Sequence, residues 1–201
     1  MKGLLKKDLY MTWAYCRIFL LMIAIFLGVG AVSEDSEFFV IYPMIIGMIL
    51  PVSLVSYDER FKWHLTCDAM PVSRAKAVSA KYVLTLLAVL TVFVLTMLTQ
   101  GLRLSRTGEL AALWELPGLL LPMGLLGPAL LLPVIFWLGV EKGRILYFVL
   151  VGVVCALGVM MGSDLNLRLP LSSPLLPVAV SVLLFAASWC LSIKLYEKRE
   201  F

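Results

Sequence analysis

The residues able to make or break bonds are few and poorly spaced for it. His64 is the single histidine, and Cys16, Cys67, Cys155 and Cys190 lie far apart with no CxxC or Cys/His spacing. A zinc site or a nucleophile–base pair needs such groups clustered. The cysteines therefore read as small apolar fillers, and His64 as neither ligand nor base. No GxxxxGK[ST] occurs, and Gly152 and Gly158 stand inside an apolar run, so the chain carries no phosphate cradle of that type. The expectation is a non-enzyme with no cofactor or metal of its own.

Recognition chemistry concentrates in one stretch, Ser56 to Pro71. Ser56 and Glu59 have the spacing of a capping box, Pro71 stops a helix, and Ser73 can cap the next one. Asp58 and Lys62 stand four apart, the spacing of a helical ion pair. Tyr57, Phe61 and Leu65 recur every four residues as an apolar stripe. These features predict a short amphipathic helix with two possible uses. It is a connector lying among lipid headgroups, or a docking helix whose aromatics, with Arg60 beside them, fill a partner's groove.

The elements around this stretch are membrane spans. Of 201 residues 62% are hydrophobic and 15% charged, against roughly 25% charged in a soluble domain. So much apolar surface exceeds what a soluble interior of this size can hide. Crossing the hydrocarbon takes roughly 20 helical residues. Six spans are predicted, near Trp13–Val32, Phe38–Ser56, Ala77–Leu102, Leu116–Val140, Ile145–Met161 and Leu175–Leu195. The first is read as retained, its apolar run being too long for a signal peptide. The expected fold is an all-α membrane protein forming one domain over 1–201.

Basic residues fall on one side of these spans. Lys2, Lys6, Lys7 and Arg17, then Arg60, Lys62, Arg74, Lys76 and Lys81, then Lys142 and Arg144, and finally Lys194, Lys198 and Arg199 share it. The other side has Arg103, Arg106 and Arg168, and its first loop, Ser33 to Glu37, has no base. This asymmetry predicts both termini in the cytoplasm. Although the net charge is +4, the bases flank spans instead of forming a patch, so nucleic acid is not an expected partner.

The fourth span holds Pro117, Pro122, Pro128 and Pro133, with Gly118, Gly124 and Gly127. Either packing tolerates the kinks, or the helix is broken and bends as a gate, since helix breaks in transporters border the substrate path. Charges deep in a span are functional by default, but every ionisable residue here can reach an interface, so no buried acid–base chain is expected. Thr96 and Gln100 are pathway residues or ordinary helix–helix hydrogen bonders. Asp164 to Pro170 is a lid or an inert loop.

An opening of the form K-G-L-L-x-K-D-L (Lys2 to Leu9), then Y-D-E-R-x-K-W (Tyr57 to Trp63), then M-P-V-S-R-x-x-x-V-x-A-K-Y (Met70 to Tyr82), resembles the ABC-2 type permeases. These are membrane subunits of ATP-binding-cassette exporters, and the match is closest to the small six-span kind similar to peptide-exporter permeases. The resemblance implies an N-terminal amphipathic elbow helix over 1–12 and a cytoplasmic coupling helix over 57–74. Tyr57, Asp58, Glu59, Arg60, Phe61, Lys62, Trp63, Leu65, Met70, Pro71 and Arg74 would then engage the ATPase. It also implies two ATPase subunits holding ATP-Mg, a second permease chain, identical or homologous, and a place in the cell membrane. The cargo would be hydrophobic or amphipathic, with peptides, antimicrobial ones included, common among relatives. A membrane-embedded enzyme and a non-transporting scaffold or regulatory subunit are the competing readings.

Overall fold

The computed structural model describes residues 2–32, 37–63, 73–107, 113–143, 145–146, 149 and 175–197. Over these the chain is helical, with no strand among the described residues. Six helices are named in order: α1 (Lys2–Tyr15), α2 (Arg17–Gly30), α3 (Glu37–Arg60), α4 (Arg74–Thr107), α5 (Leu116–Leu138) and α6 (Leu175–Glu197). Four of them, α3 to α6, are long and apolar enough to cross a membrane, and the bent pair α1–α2 makes a fifth candidate. The predicted fifth span, Ile145–Met161, lies largely outside the described residues.

The first predicted span needs correction. Instead of one helix from Trp13, the chain bends by 71° between α1 and α2. The bend falls at Cys16, which is fully buried. The backbone bonds Cys16 N to Thr12 O and Leu20 N to Cys16 O persist across it, at 2.9 and 3.2 Å. Cys16 packs with Leu50, Leu54 and Leu84 of α3 and α4, so a small side chain stands where three helices converge. With 14 residues, α2 reaches only about 21 Å at 1.5 Å per residue, short of the hydrocarbon thickness of about 30 Å.

α4 runs for 34 residues, about 51 Å, and so extends past the bilayer core at one or both ends. α5 is continuous through Pro122, Pro128 and Pro133, with Pro117 in its first turn, where a missing N–H is harmless. Of the two readings of this span, the structure agrees with kinks tolerated by packing, and the helix stops only at Gly139, whose φ of 86° suits glycine. Two of its glycines serve close packing: a Cβ on Gly127 would run into Met48 Sδ, and one on Gly124 would come within 2.7 Å of Met44 Cε. α3 and α5 therefore approach closely, as small residues allow in membranes.

The core is apolar and shared by α2 to α6, with Met44, Tyr82, Val89, Leu120, Leu132 and Ile135 almost fully buried. A polar joint interrupts it. Pro133 has no N–H, so the carbonyl of Ala129, four residues back, loses its helical donor. Ser188 Oγ of α6 supplies one at 2.6 Å. Tyr82 Oη of α4 hydrogen-bonds Ser188 Oγ at 2.8 Å and Ser192 Oγ at 2.6 Å. The Tyr82 ring stacks on Trp189, whose Nε1 donates to Ser79 Oγ. Thr96 merely returns its hydroxyl to the Val92 carbonyl one turn back, an ordinary helical bond.

Candidate functional site

Where α1, the end of α3 and the start of α4 meet, four charged side chains close a ring. Lys7 Nζ lies 2.8 Å from Asp58 Oδ1 and 3.1 Å from Asp8 Oδ1. Lys81 Nζ lies 2.8 Å from Asp8 Oδ1 and 2.5 Å from Asp58 Oδ2. Each lysine bridges both aspartates, so two positive and two negative charges alternate. Their side chains are 2% (Asp8), 10% (Lys81), 12% (Asp58) and 22% (Lys7) exposed. Ions taken this far from water persist only when paired and hydrogen-bonded, and here every ring member has two opposite partners. No buried side-chain N or O among the described residues lacks a hydrogen-bond partner.

Nothing in the sequence signals a buried cluster of charges, yet one forms here, and the expected pairing of Asp58 with Lys62 is replaced by it. α3 ends at Arg60, and Lys62 lies beyond it with φ of 50°. Lys62 N donates to Glu59 O and Phe61 N to Tyr57 O, both at 3.0 Å. This is the closing geometry of a helix whose next residue turns left-handed. Asp58, freed of Lys62, faces inward to the ring.

The capping box fails for the same reason. Ser56 lies inside α3, which continues straight from the span, so no separate helix starts there. Glu59 does cap, but elsewhere in the fold. Its Oε2 accepts the Val140 N–H at 2.9 Å, at the start of a helical turn over 140–143 whose first bond runs from Gly143 N to Gly139 O. A carboxylate at such an N-terminus meets unpaired N–H groups and the positive end of the dipole. Ser73 directly precedes α4, where a cap was expected, and its carbonyl accepts from Lys76 N and Ala77 N.

The two described members of the apolar stripe share one partner. Tyr57 and Phe61 pack on Tyr15 of α1, with ring centroids 5.0 and 5.9 Å apart. Phe61 remains 56% exposed. Trp63 is half-buried and carries Lys7 Nζ over its ring, 4.0 Å from the centroid. Arg60 is exposed and Arg74 half-buried, while Leu65, Met70 and Pro71 lie outside the described residues. Pro128 and Pro133 are buried, and Pro117 and Pro122 half-buried, along α5.

The ring lines one wall of a cavity of about 290 Å³. Trp63 and Glu59 also line it, and Leu4, Val55, Val78 and Phe136 are among its apolar residues. Among the described residues no group of three or more His, Cys, Asp or Glu side chains can hold a metal ion. Sequence reasoning named Asp58 and missed its partners Lys7 and Lys81, and with them Asp8, which the same two lysines bridge. Its only signal for them was polar residues at span ends, since separations of 51 and 73 residues leave no periodic trace.

Searches of curated proteins and of solved structures find no match to this chain. Residues 3–197 match the family described as ABC-2 family transporter protein. The match takes in all of α1 but Lys2, the ring, the α3–α4 junction and the whole of α6, and it agrees with a bundle of several apolar helices. The chain belongs to the ABC-2 transporter family, as a multi-pass membrane protein.

Proposed function

We propose that this chain is the permease subunit of an ATP-binding-cassette exporter, moving a hydrophobic or amphipathic cargo, a peptide by family resemblance, out of the cytoplasm. Two separate ATPase subunits supply the energy, and a second permease, identical or homologous, completes the pathway. Both termini lie in the cytoplasm, α1 serves as the elbow along the inner leaflet of the cell membrane, and residues 57–74 form the coupling segment. The observation that carries the reading is Phe61. It stands exposed one residue past the end of α3, on a helix end that the ion ring ties to α1 and α4. A load applied at Phe61 therefore reaches three helices at once, which suits a lever better than a loose loop. The prolines of α5, Pro117, Pro122, Pro128 and Pro133, lower the cost of bending and are proposed as the gating region.

The test is co-expression with the cognate ATPase. Phe61→Ala is expected to weaken the complex about thirtyfold, the effect of losing an aromatic hot spot of about 2 kcal/mol. Stimulated ATP hydrolysis should fall with it while membrane insertion is unchanged. A Phe61→Ala chain that binds and stimulates normally removes the coupling role. Normal ATPase binding with no cargo movement in reconstituted vesicles would mark a scaffold instead.

A further inference from the structure

The ion ring contains a seat for a primary ammonium that Lys7 fills from within. Its Nζ touches Asp58 Oδ1 at 2.8 Å and Asp8 Oδ1 at 3.1 Å, and lies 4.0 Å above the Trp63 ring. Two carboxylates and an indole face are what an ammonium ion prefers. Lys7 is also the most exposed member of the ring, at 22% against 2% for Asp8, so it is the member able to leave. The cavity beside it, about 290 Å³, matches the small end of ligand sites, roughly 300 Å³.

Charge then restricts what can enter. Removing Lys7 alone leaves two buried carboxylates sharing Lys81, a costly state. A ligand that takes the seat must bring its own ammonium, and the displaced Lys7 needs an anion close by. Both conditions hold for a single molecule carrying an ammonium and a phosphate a few bonds apart. We infer that this cavity binds an ammonium–phosphate zwitterion, the headgroup of a phosphatidylethanolamine of the surrounding bilayer. The apolar remainder, Leu4, Val78 and Phe136 among it, accommodates the carbon portion. The bilayer is the source because α1 presents exposed apolar residues a turn or so from Lys7, with Tyr10 67% and Trp13 73% exposed. A trimethylammonium head has no N–H to give Asp58, and a glycerol head has no cation. Both should be rejected.

This inference goes beyond the permease reading and requires only that the chain sit in a membrane. The experiment uses the full chain alone, without ATPase, purified in mixed micelles and melted with increasing phosphatidylethanolamine, phosphatidylcholine or phosphatidylglycerol at equal mole fractions. The expected result is a saturable rise in melting temperature with phosphatidylethanolamine only. Trp63→Leu should shift its half-saturation about tenfold upward, and Trp63→Phe should recover part of that. Equal responses to the three lipids, or a Trp63→Leu response like the unsubstituted chain's, would overturn the site. Free phosphoethanolamine in lipid-free micelles separates the sources: an equal rise keeps the zwitterion chemistry but overturns the bilayer as its origin. The lipid ranking on the unsubstituted chain stands alone if a variant does not fold. Failure here would leave ATPase coupling untouched, and loss of coupling by Phe61→Ala would leave lipid binding untouched.

Discussion

Among the described residues, two polar joints of this bundle are built on adjacent residues of one helix. Lys81 enters the ion ring that joins α1, α3 and α4. Tyr82, next in sequence, enters the hydroxyl joint that ties α4 to Ser188 and Ser192 of α6 and through Ser188 to α5. The first is made of full charges and the second of neutral dipoles. A charged joint is all or nothing, because deleting one member strands another charge away from water. A neutral joint weakens by increments, since each lost hydrogen bond within a membrane is worth only about 0.6 kcal/mol on average. The stiff joint stands beside the proposed lever at Phe61, and the graded one beside the proline-bearing helix proposed to bend.

The largest effect should come from opening the ring. Lys81→Met leaves Asp8 and Asp58 with Lys7 alone, and is expected to destabilise the fold by about 3–5 kcal/mol. Unfolding in mixed micelles would measure it. Adding Asp58→Asn to Lys81→Met removes one stranded carboxylate and should restore part of the loss, giving a coupling energy that two independent sites would not show. A Lys81→Met chain as stable as its parent would mean that the ring holds nothing.

A middle effect sharpens the other half of the comparison. Ser188→Ala strands the Ala129 carbonyl and removes a partner of Tyr82, and should cost about 1–2 kcal/mol. Pro133→Ala returns the backbone N–H that the carbonyl lacks. In that background Ser188→Ala should cost clearly less. Equal losses in both backgrounds would show that Ser188 is not compensating for Pro133.

How far these joints could be read from sequence depends on their geometry. The helical class and four of the spans were legible because lipid demands long apolar runs, and Phe38, Leu116 and Leu175 stand at or beside the observed helix starts. The end of α3 was not. Ser56, Asp58, Glu59 and Lys62 satisfy the local rules for a separate helix, yet packing against α1 and α4 overrides them. Local rules know residues four apart, whereas Asp58 found Lys7 51 positions away. Ser188 was equally hidden: proline at 133 announces an orphaned carbonyl at 129, but nothing in the chain says which helix answers it. The bend at Cys16 escaped notice because no Pro or Gly marks it.

The smallest effect tests that override directly. Lys62 holds φ at 50°, a conformation that glycine adopts freely and other residues adopt at some cost. If Lys62 only ends α3, Lys62→Gly should stabilise the chain, by up to about 1 kcal/mol. If Lys62 instead served Asp58 as an i,i+4 partner, the same substitution would lose that pair, about 0.2–0.5 kcal/mol, and add the cost of glycine in a helix, about 1 kcal/mol. The two readings differ in sign, so a shift of the melting temperature decides between them even when it is small. A rise places Asp58 wholly in the ring, and with it the stiffness assigned to the end of α3. A fall returns Asp58 to the local helix and leaves the lever at Phe61 without its anchor.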